Sequence, residues 1–183
     1  MKFVAIVGSL RIDSYNLKFA HVIKERYKAD HDIEIIRLND LPLFNEDIEK
    51  EPPSSVLEFK EKIKRADSVI IVTPEYNHSI PGVVKNALDW CSRVDRVLVD
   101  KPIMIIGASN GNVGTARCQA DIRKVLNAPG LAAMVLPGNY ILIPKVQDLF
   151  DENNEFTDIS TLEYIDKVMD KFVKWSKLLD SRD

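Results

Sequence analysis

The chain has 183 residues, enough for one domain with a sizeable core. Its 25 basic residues against 28 acidic ones leave a net charge of −3, which gives no electrostatic reason to expect nucleic acid or an anionic membrane as a partner. Hydrophobic residues at 45% and charged residues at 29% describe an ordinary globular mix, and no apolar run approaches the ~20 residues of a membrane span.

The first residues enter a strand pattern directly, without the basic and apolar regions of a signal peptide, so a cytoplasmic protein is expected. Phe3 to Val7 is a continuous apolar run, the pattern of a strand buried on both faces. Gly8 ends it, and a polar loop runs to Asn16. Leu17, Ala20, Ile23 and Tyr27 then recur at helical spacing, with Ser14 placed as N-cap. Ile33 to Leu38 predicts the second strand, and Leu41 to Pro53 an irregular segment. Ser55 and Glu58 have the spacing of a capping box ahead of Val56, Phe59, Ile63 and Ala66. Ser68 to Val72 is the third strand, Thr73 to Pro81 a loop, and Val83 to Cys91 a helix. Ile103 to Gly107 is the fourth strand, followed by a Gly-containing loop and a helix marked by Cys118, Ile122 and Val125. Ala132 to Leu136 is the fifth strand. Ser160 and Glu163 open a last helix, with Leu162, Ile165, Met169, Phe172 and Leu179 inward. Cys91 and Cys118 lie in predicted helices without metal-ligand spacing or an adjacent His, and read as reduced structural thiols.

Five strands alternating with five helices predict one α/β domain over residues 1–183, with a parallel sheet covered on both faces. With a polar loop after the first strand, the flavodoxin-like order 2-1-3-4-5 suits it best, as a three-layer sandwich. Ligands of such sheets bind at the carboxyl ends of the strands. That brings together Gly8–Asn16, Thr73–Gly82 and Ala108–Arg117.

The first loop offers neutral donors in Ser9, Ser14 and Asn16, a charged one in Arg11, and the free N–H groups of a helix N-terminus, all of which suit a phosphate. Asp13 opposes an anion unless it points to solvent. The loop has no Gly-x-Gly-x-x-Gly and no Gly-Lys-Ser/Thr, which excludes a dinucleotide turn and a nucleotide-hydrolysing P-loop. Taken alone, it fits an ordinary strand–helix turn equally well. The second loop is stiffened by Pro74 and Pro81, shows an aromatic face at Tyr76, and has both donor and acceptor in Asn77. The third loop, Ala108-Ser109-Asn110-Gly111-Asn112-Val113-Gly114, permits close backbone approach to a flat ligand.

These motifs carry a family resemblance. Gly8-Ser9-Leu10-Arg11 with Ser14 and Asn16 resembles the phosphate loop of NAD(P)H-dependent FMN reductases. Pro74-Glu75-Tyr76-Asn77-His78-Ser79-Ile80-Pro81-Gly82, followed by Leu88-Asp89-Trp90, is similar to the flavin-ring loop and helix of that family. Ala108-Ser109-Asn110-Gly111 with Gly114 and Arg117 resembles its third loop. The match covers roughly the first 125 residues in order, and the middle motif is the most specific.

The resemblance, strongest to the soluble quinone, chromate and azo-dye reductases, implies FMN as cofactor and NADPH or NADH as hydride donor. It implies small-molecule electron acceptors and a homodimer or homotetramer. Implied cofactor-binding residues are Ser9, Arg11, Ser14, Asn16, Pro74, Glu75, Tyr76, Asn77, Ser109 and Gly111. No side chain need be catalytic, because FMN carries the chemistry at N5. Glu75 is expected to contribute its backbone rather than act as a general acid, His78 to be a solvated loop residue, and Arg117 to meet a coenzyme phosphate or a neighbouring subunit. That subgroup often has a second Gly where Thr115 stands. It can also join Arg117 in an intersubunit network with a Tyr near Ala120 and an acid near Asn139; those partners are absent here. Two other functions fit a flavin site: an electron carrier and a non-catalytic regulatory module. Carriers are usually far more acidic than −3, and the Gly-Thr phosphate loop of flavodoxins is missing.

Overall fold

Alternate residues of the central strands feed two separate apolar cores. In β1 (Lys2–Val7), Val4 and Ile6 join one cluster, while Phe3, Ala5 and Val7 join the other. β3 (Ser68–Val72) and β4 (Pro102–Ala108) divide in the same way: Val69, Ile71, Ile103 and Ile105 on one side, Ile70, Val72, Met104 and Ile106 on the other. A strand's period of two makes a continuous apolar run fill two cores at once.

The first core is closed by α2 (Ser54–Arg65), α3 (Gly82–Cys91) and α4 (Ala116–Leu126), through Phe59, Ile63, Val84, Leu88 and Ile122. The second is closed by α1 (Tyr15–Tyr27) and α5 (Ile159–Asp180), through Phe19, Ile23, Met169 and Phe172. Each such side chain contributes about 1.5–3 kcal/mol on full burial. The computed structural model describes residues 1–180.

All the strands run parallel. β2 (Asp32–Arg37), β1, β3, β4 and β5 (Met134–Val135) follow in that order, the expected 2-1-3-4-5 arrangement with helices on both faces. The fifth position differs from expectation. β5 keeps only its middle residues, opposite Pro102 and Ile103, and a sixth strand, β6 (Ile141–Ile143), pairs with Ile106 to Ala108 further along β4. Left-handed residues stand on either side of β5, Ala132 at φ 41° before it and Gly138 at φ 70° in the break that follows, and Pro137 beside Gly138 cannot donate to a ladder. The edge row is therefore one strand interrupted by a turn.

Two helix starts also differ. α2 begins at Ser54, with Pro53 as N-cap and no side-chain cap, so Ser55 and Glu58 form no capping box; the Pro53 carbonyl accepts from the N–H groups of Val56 and Leu57 instead. At α5 the carboxylate of Asp158 accepts from the Ser160 N–H and from both the Ser160 and Thr161 hydroxyls. Leu162 and Leu179, expected inward on α5, are half-buried.

The segment after β2 has no regular strand or long helix, yet it is pinned. Asn86 Nδ2 and Trp90 Nε1 each donate to the Pro42 carbonyl at 2.9 Å, and Phe44 packs edge-on against Trp90 with ring centroids 5.0 Å apart. Trp90 is a packing residue within the chain. Between β1 and β3 the connections leave the sheet in opposite directions, which opens the crevice where doubly wound sheets bind ligands.

Candidate functional site

Three loops leave the carboxyl ends of β1, β3 and β4 and are knitted side by side. The Gly8 N–H donates to the Val72 carbonyl at 2.8 Å, and the Thr73 N–H to the Ile106 carbonyl at 2.9 Å. Gly8 lies so close to its neighbours that a Cβ there would meet Thr73 Oγ1 at 2.5 Å and Val84 Cγ2 at 2.6 Å. Only glycine lets the first loop turn over the second at this distance.

The first loop leads into the N-terminus of α1 and exposes donors there. Ser14 has extended backbone and accepts from the Leu17 N–H at 3.4 Å, as expected of an N-cap. Lys18 N–H is served by the Ser14 carbonyl. The N–H groups of Tyr15 and Asn16 meet no acceptor among the described residues, and the first turn carries no acidic side chain. Ser9 and Ser14 are 2% and 3% exposed; their hydroxyl oxygens accept from the Arg11 and Leu17 N–H groups and donate to no acceptor among the described residues. Asp13 is exposed, so the one misplaced charge faces solvent. Arg11, also exposed, donates from Nη2 to the Asp13 carbonyl of its own loop at 3.2 Å.

Asn16 takes another part than the donor expected of it. Its Nδ2 donates to the Ala108 carbonyl at 2.9 Å, and its Oδ1 accepts from the Ala108 N–H at 3.1 Å. The side chain thus bolts the first loop to the start of the third. Arg37, at the end of β2, was not singled out by the sequence: its guanidinium donates to the Leu10 carbonyl at 3.1 Å and steadies the first loop from outside.

The second loop ends in a tight turn. Tyr76 and Ser79 exchange both backbone hydrogen bonds, at 3.2 and 3.0 Å, and Asn77 and His78 between them sit at φ 50° and 61°. Two consecutive left-handed residues make a hairpin turn of the primed kind, which Asn tolerates and His accepts only under strain. Pro74 is buried, while Tyr76 is 45% exposed and Asn77 and His78 are exposed at the tip. The carboxylate of Glu75, 9% exposed, turns inward; it accepts from the Arg117 and Cys118 N–H groups at 3.0 Å each and pairs with the Arg117 guanidinium at 3.3 Å. Arg117 is thus held within its own chain. Ser79 Oγ donates to the Asp121 carboxylate at 2.7 Å, and together with Lys124 it holds that carboxyl below its ordinary pKa.

In the third loop Ser109 is occupied: its N–H donates to the Ile143 carbonyl and its hydroxyl to the Gly114 carbonyl. Gly111 differs from Gly8. Its φ is not left-handed, and a Cβ there would only touch Ser109 Oγ at 3.7 Å. Nothing among the described residues requires glycine at that point. Gly107 is required by Thr115, whose Oγ1 would lie 1.6 Å from an added Cβ. Cys91 and Cys118 are buried and free, with thiols pushed up to about 12 by burial, which fits structural thiols. Among the described residues no cluster of three or more His, Cys, Asp or Glu side chains is placed to hold a metal ion, and no helix is long and apolar enough to cross a membrane.

A free helix N-terminus with two buried hydroxyls suits a phosphomonoester, and a tight turn together with an uncrowded glycine suits a planar ring. The donor set therefore fits FMN. Residues 1–148 match the family model of NADPH-dependent FMN reductases. An NADH-dependent flavin reductase subunit 2 of Lactobacillus johnsonii is 41% identical over 180 residues, covering 96% of this chain and 97% of that one. A 2-hydroxy-1,4-benzoquinone reductase of Burkholderia sp. is 38% identical over 177 residues, covering 96% of each. The solved structure of FerB, a flavoenzyme NAD(P)H:(acceptor) oxidoreductase from Paracoccus denitrificans, superposes with a TM-score of 0.86 at 31% identity, over 96% of this chain and 97% of that one. On this sequence and structural likeness, running nearly end to end, the chain belongs to the NADPH-dependent FMN reductase family.

Proposed function

We propose that the chain is a single-domain, cytoplasmic reductase that binds FMN across the three loops and passes electrons from NADPH or NADH to quinones and similar small acceptors, including azo dyes, chromate and free flavin. The observation that carries this reading is the N-terminus of α1, where two N–H groups meet no acceptor among the described residues and two hydroxyls are buried; the left-handed turn of the second loop adds to it. FMN, when bound, supplies hydride transfer at N5. The chain's own residues bind and orient.

Ser9, Ser14 and the Tyr15 and Asn16 amides hold the phosphate, with Arg11 adding charge at the rim. Pro74, Glu75, Tyr76 and Asn77 supply one wall and edge of the ring site, and Gly111 the other. Asn16 and Ser109 belong to this site as braces. Quinone chemistry is supported by the Burkholderia relative and by the acceptor oxidoreductase fold neighbour. The apolar side chains Leu10, Ile12, Tyr76 and Val113 stand 40%, 84%, 45% and 51% exposed around the loops, and support a homodimer or homotetramer formed at this rim.

Steady-state kinetics test the proposal. Nicotinamide and acceptor use one face in turn, so initial rates against both substrates give parallel double-reciprocal lines. Intersecting lines with a trapped ternary complex would contradict it.

A further inference from the structure

We propose that Glu75 is a positioning residue: its side chain fastens the ring loop to the N-terminus of α4, so that the second and third loops hold the flavin ring as one rigid unit. The inference rests on the flavin reading above and gives the Glu75 side chain a role distinct from contact with the ligand.

α4 lacks a cap of its own. Thr115 stands at its N-cap position but makes no side-chain cap bond, and no acidic residue lies in the first turn. The Thr115 hydroxyl faces inward, fills the space left by Gly107, and accepts from Gln119 Nε2 at 3.2 Å. The two N–H groups this leaves bare, those of Arg117 and Cys118, are both taken by one oxygen of Glu75, more than forty residues away in sequence. Cys118 is buried, so stripping its N–H of this acceptor is costly, while the Arg117 N–H lies on the exposed side of the same contact. A second tie, Ser79 to Asp121, joins the other side of the turn to the next turn of α4. The left-handed pair Asn77 and His78 lies between the two ties. α4 is in turn fixed to the break in the edge strand, where Arg123 donates to the carbonyls of Leu136 and Asn139 at 3.0 and 2.7 Å. The strained turn is therefore clamped to the helix that the third loop leads into, and the clamp closes through Glu75.

The test is fluorescence titration of apoprotein with FMN and, separately, with riboflavin, alongside thermal unfolding of the apoprotein. Glu75→Ala should weaken FMN and riboflavin by the same factor, about fivefold to a hundredfold, because the loss falls on the ring. Ser14→Ala should weaken FMN alone. Glu75→Gln keeps an acceptor at the right reach and should recover most of the affinity, to within about fivefold, the remainder reflecting the lost charge at the helix terminus. Leu126→Ala, which loosens α4 at its far end, should lower thermal stability yet leave both affinities within about twofold.

Wild-type affinity for both flavins in Glu75→Ala would overturn the proposal, as would a folded Glu75→Gln no better than Glu75→Ala. If Glu75→Ala yields no folded protein, Ser79→Ala carries the test; weaker binding of both flavins supports the clamp, and wild-type binding overturns it. Failure of the wild-type protein to bind either flavin would instead defeat the flavin reading itself.

Discussion

Replacement of Asn77 separates backbone from side chain at the tip of the ring loop. Asn77 is at φ 50° and His78 at φ 61°, and no hydrogen bond within the described residues engages the Asn77 carboxamide. Asn77→Ala puts a residue with no local hydrogen-bonding group into left-handed backbone, at a cost of about 1–2 kcal/mol. For a chain of this length that lowers Tm by roughly 2–8 °C. Asn77→Gly removes the same carboxamide without the strain and should stay within about 1 kcal/mol of wild type, the residual being chain entropy. Both variants lose a group free to bond a ligand, so both should weaken FMN by about twofold to tenfold. The assays are thermal unfolding of the apoprotein and FMN titration. An Asn77→Ala protein as stable as wild type would refute the turn argument. Wild-type FMN affinity in both variants would show that the carboxamide does not reach the ring.

Gly107→Ala drives a Cβ to 1.6 Å from Thr115 Oγ1 and should cost about 3 kcal/mol, the upper end of overpacking, seen as a large fall in Tm; combining it with Thr115→Gly should recover part of the loss, and no recovery would refute the steric account. Acid should also destabilise the fold. Arg26 and Tyr27 hold the Asp166 carboxyl below its ordinary value, and the hydroxyls of Thr161 and Ser160 do the same for Asp158. Groups whose folded pKa is depressed contribute stability above their unfolded pKa and lose it as pH falls through the folded one. Denaturant midpoints should drop below about pH 4, and Asp166→Asn should flatten that drop; an unchanged acid limb would contradict the assignment.

Much of this fold is legible because its strands are continuous apolar runs. Phe3 to Val7 and Ser68 to Val72 can be buried only in the middle of a covered sheet, and Ser14 announces the start of α1. The edge was harder to read. Ile141, Leu142 and Ile143 are too few to show a period, and Pro137-Gly138 hides their continuity with Met134 and Val135. The site residues were recognisable as loops, but their partners were not. Asn16 reaches Ala108 across 92 positions and Glu75 reaches Cys118 across 43, contacts that no local pattern carries. Ser109 has the chemistry of a ligand donor, and only the fold shows that Ile143 and Gly114 already occupy it.

The central claim is that these loops build a working FMN site, and its most direct test is an absorbance titration of the purified protein under anaerobic conditions. FMN should bind at least about tenfold more tightly than riboflavin, since a phosphate lost from charge-assisted hydrogen bonds of about 1.5–3 kcal/mol each is felt at once. The visible flavin band should then bleach on addition of NADPH or NADH and return when a quinone is added. Equal affinity for FMN and riboflavin, or a bound flavin that neither nicotinamide bleaches, would contradict the account.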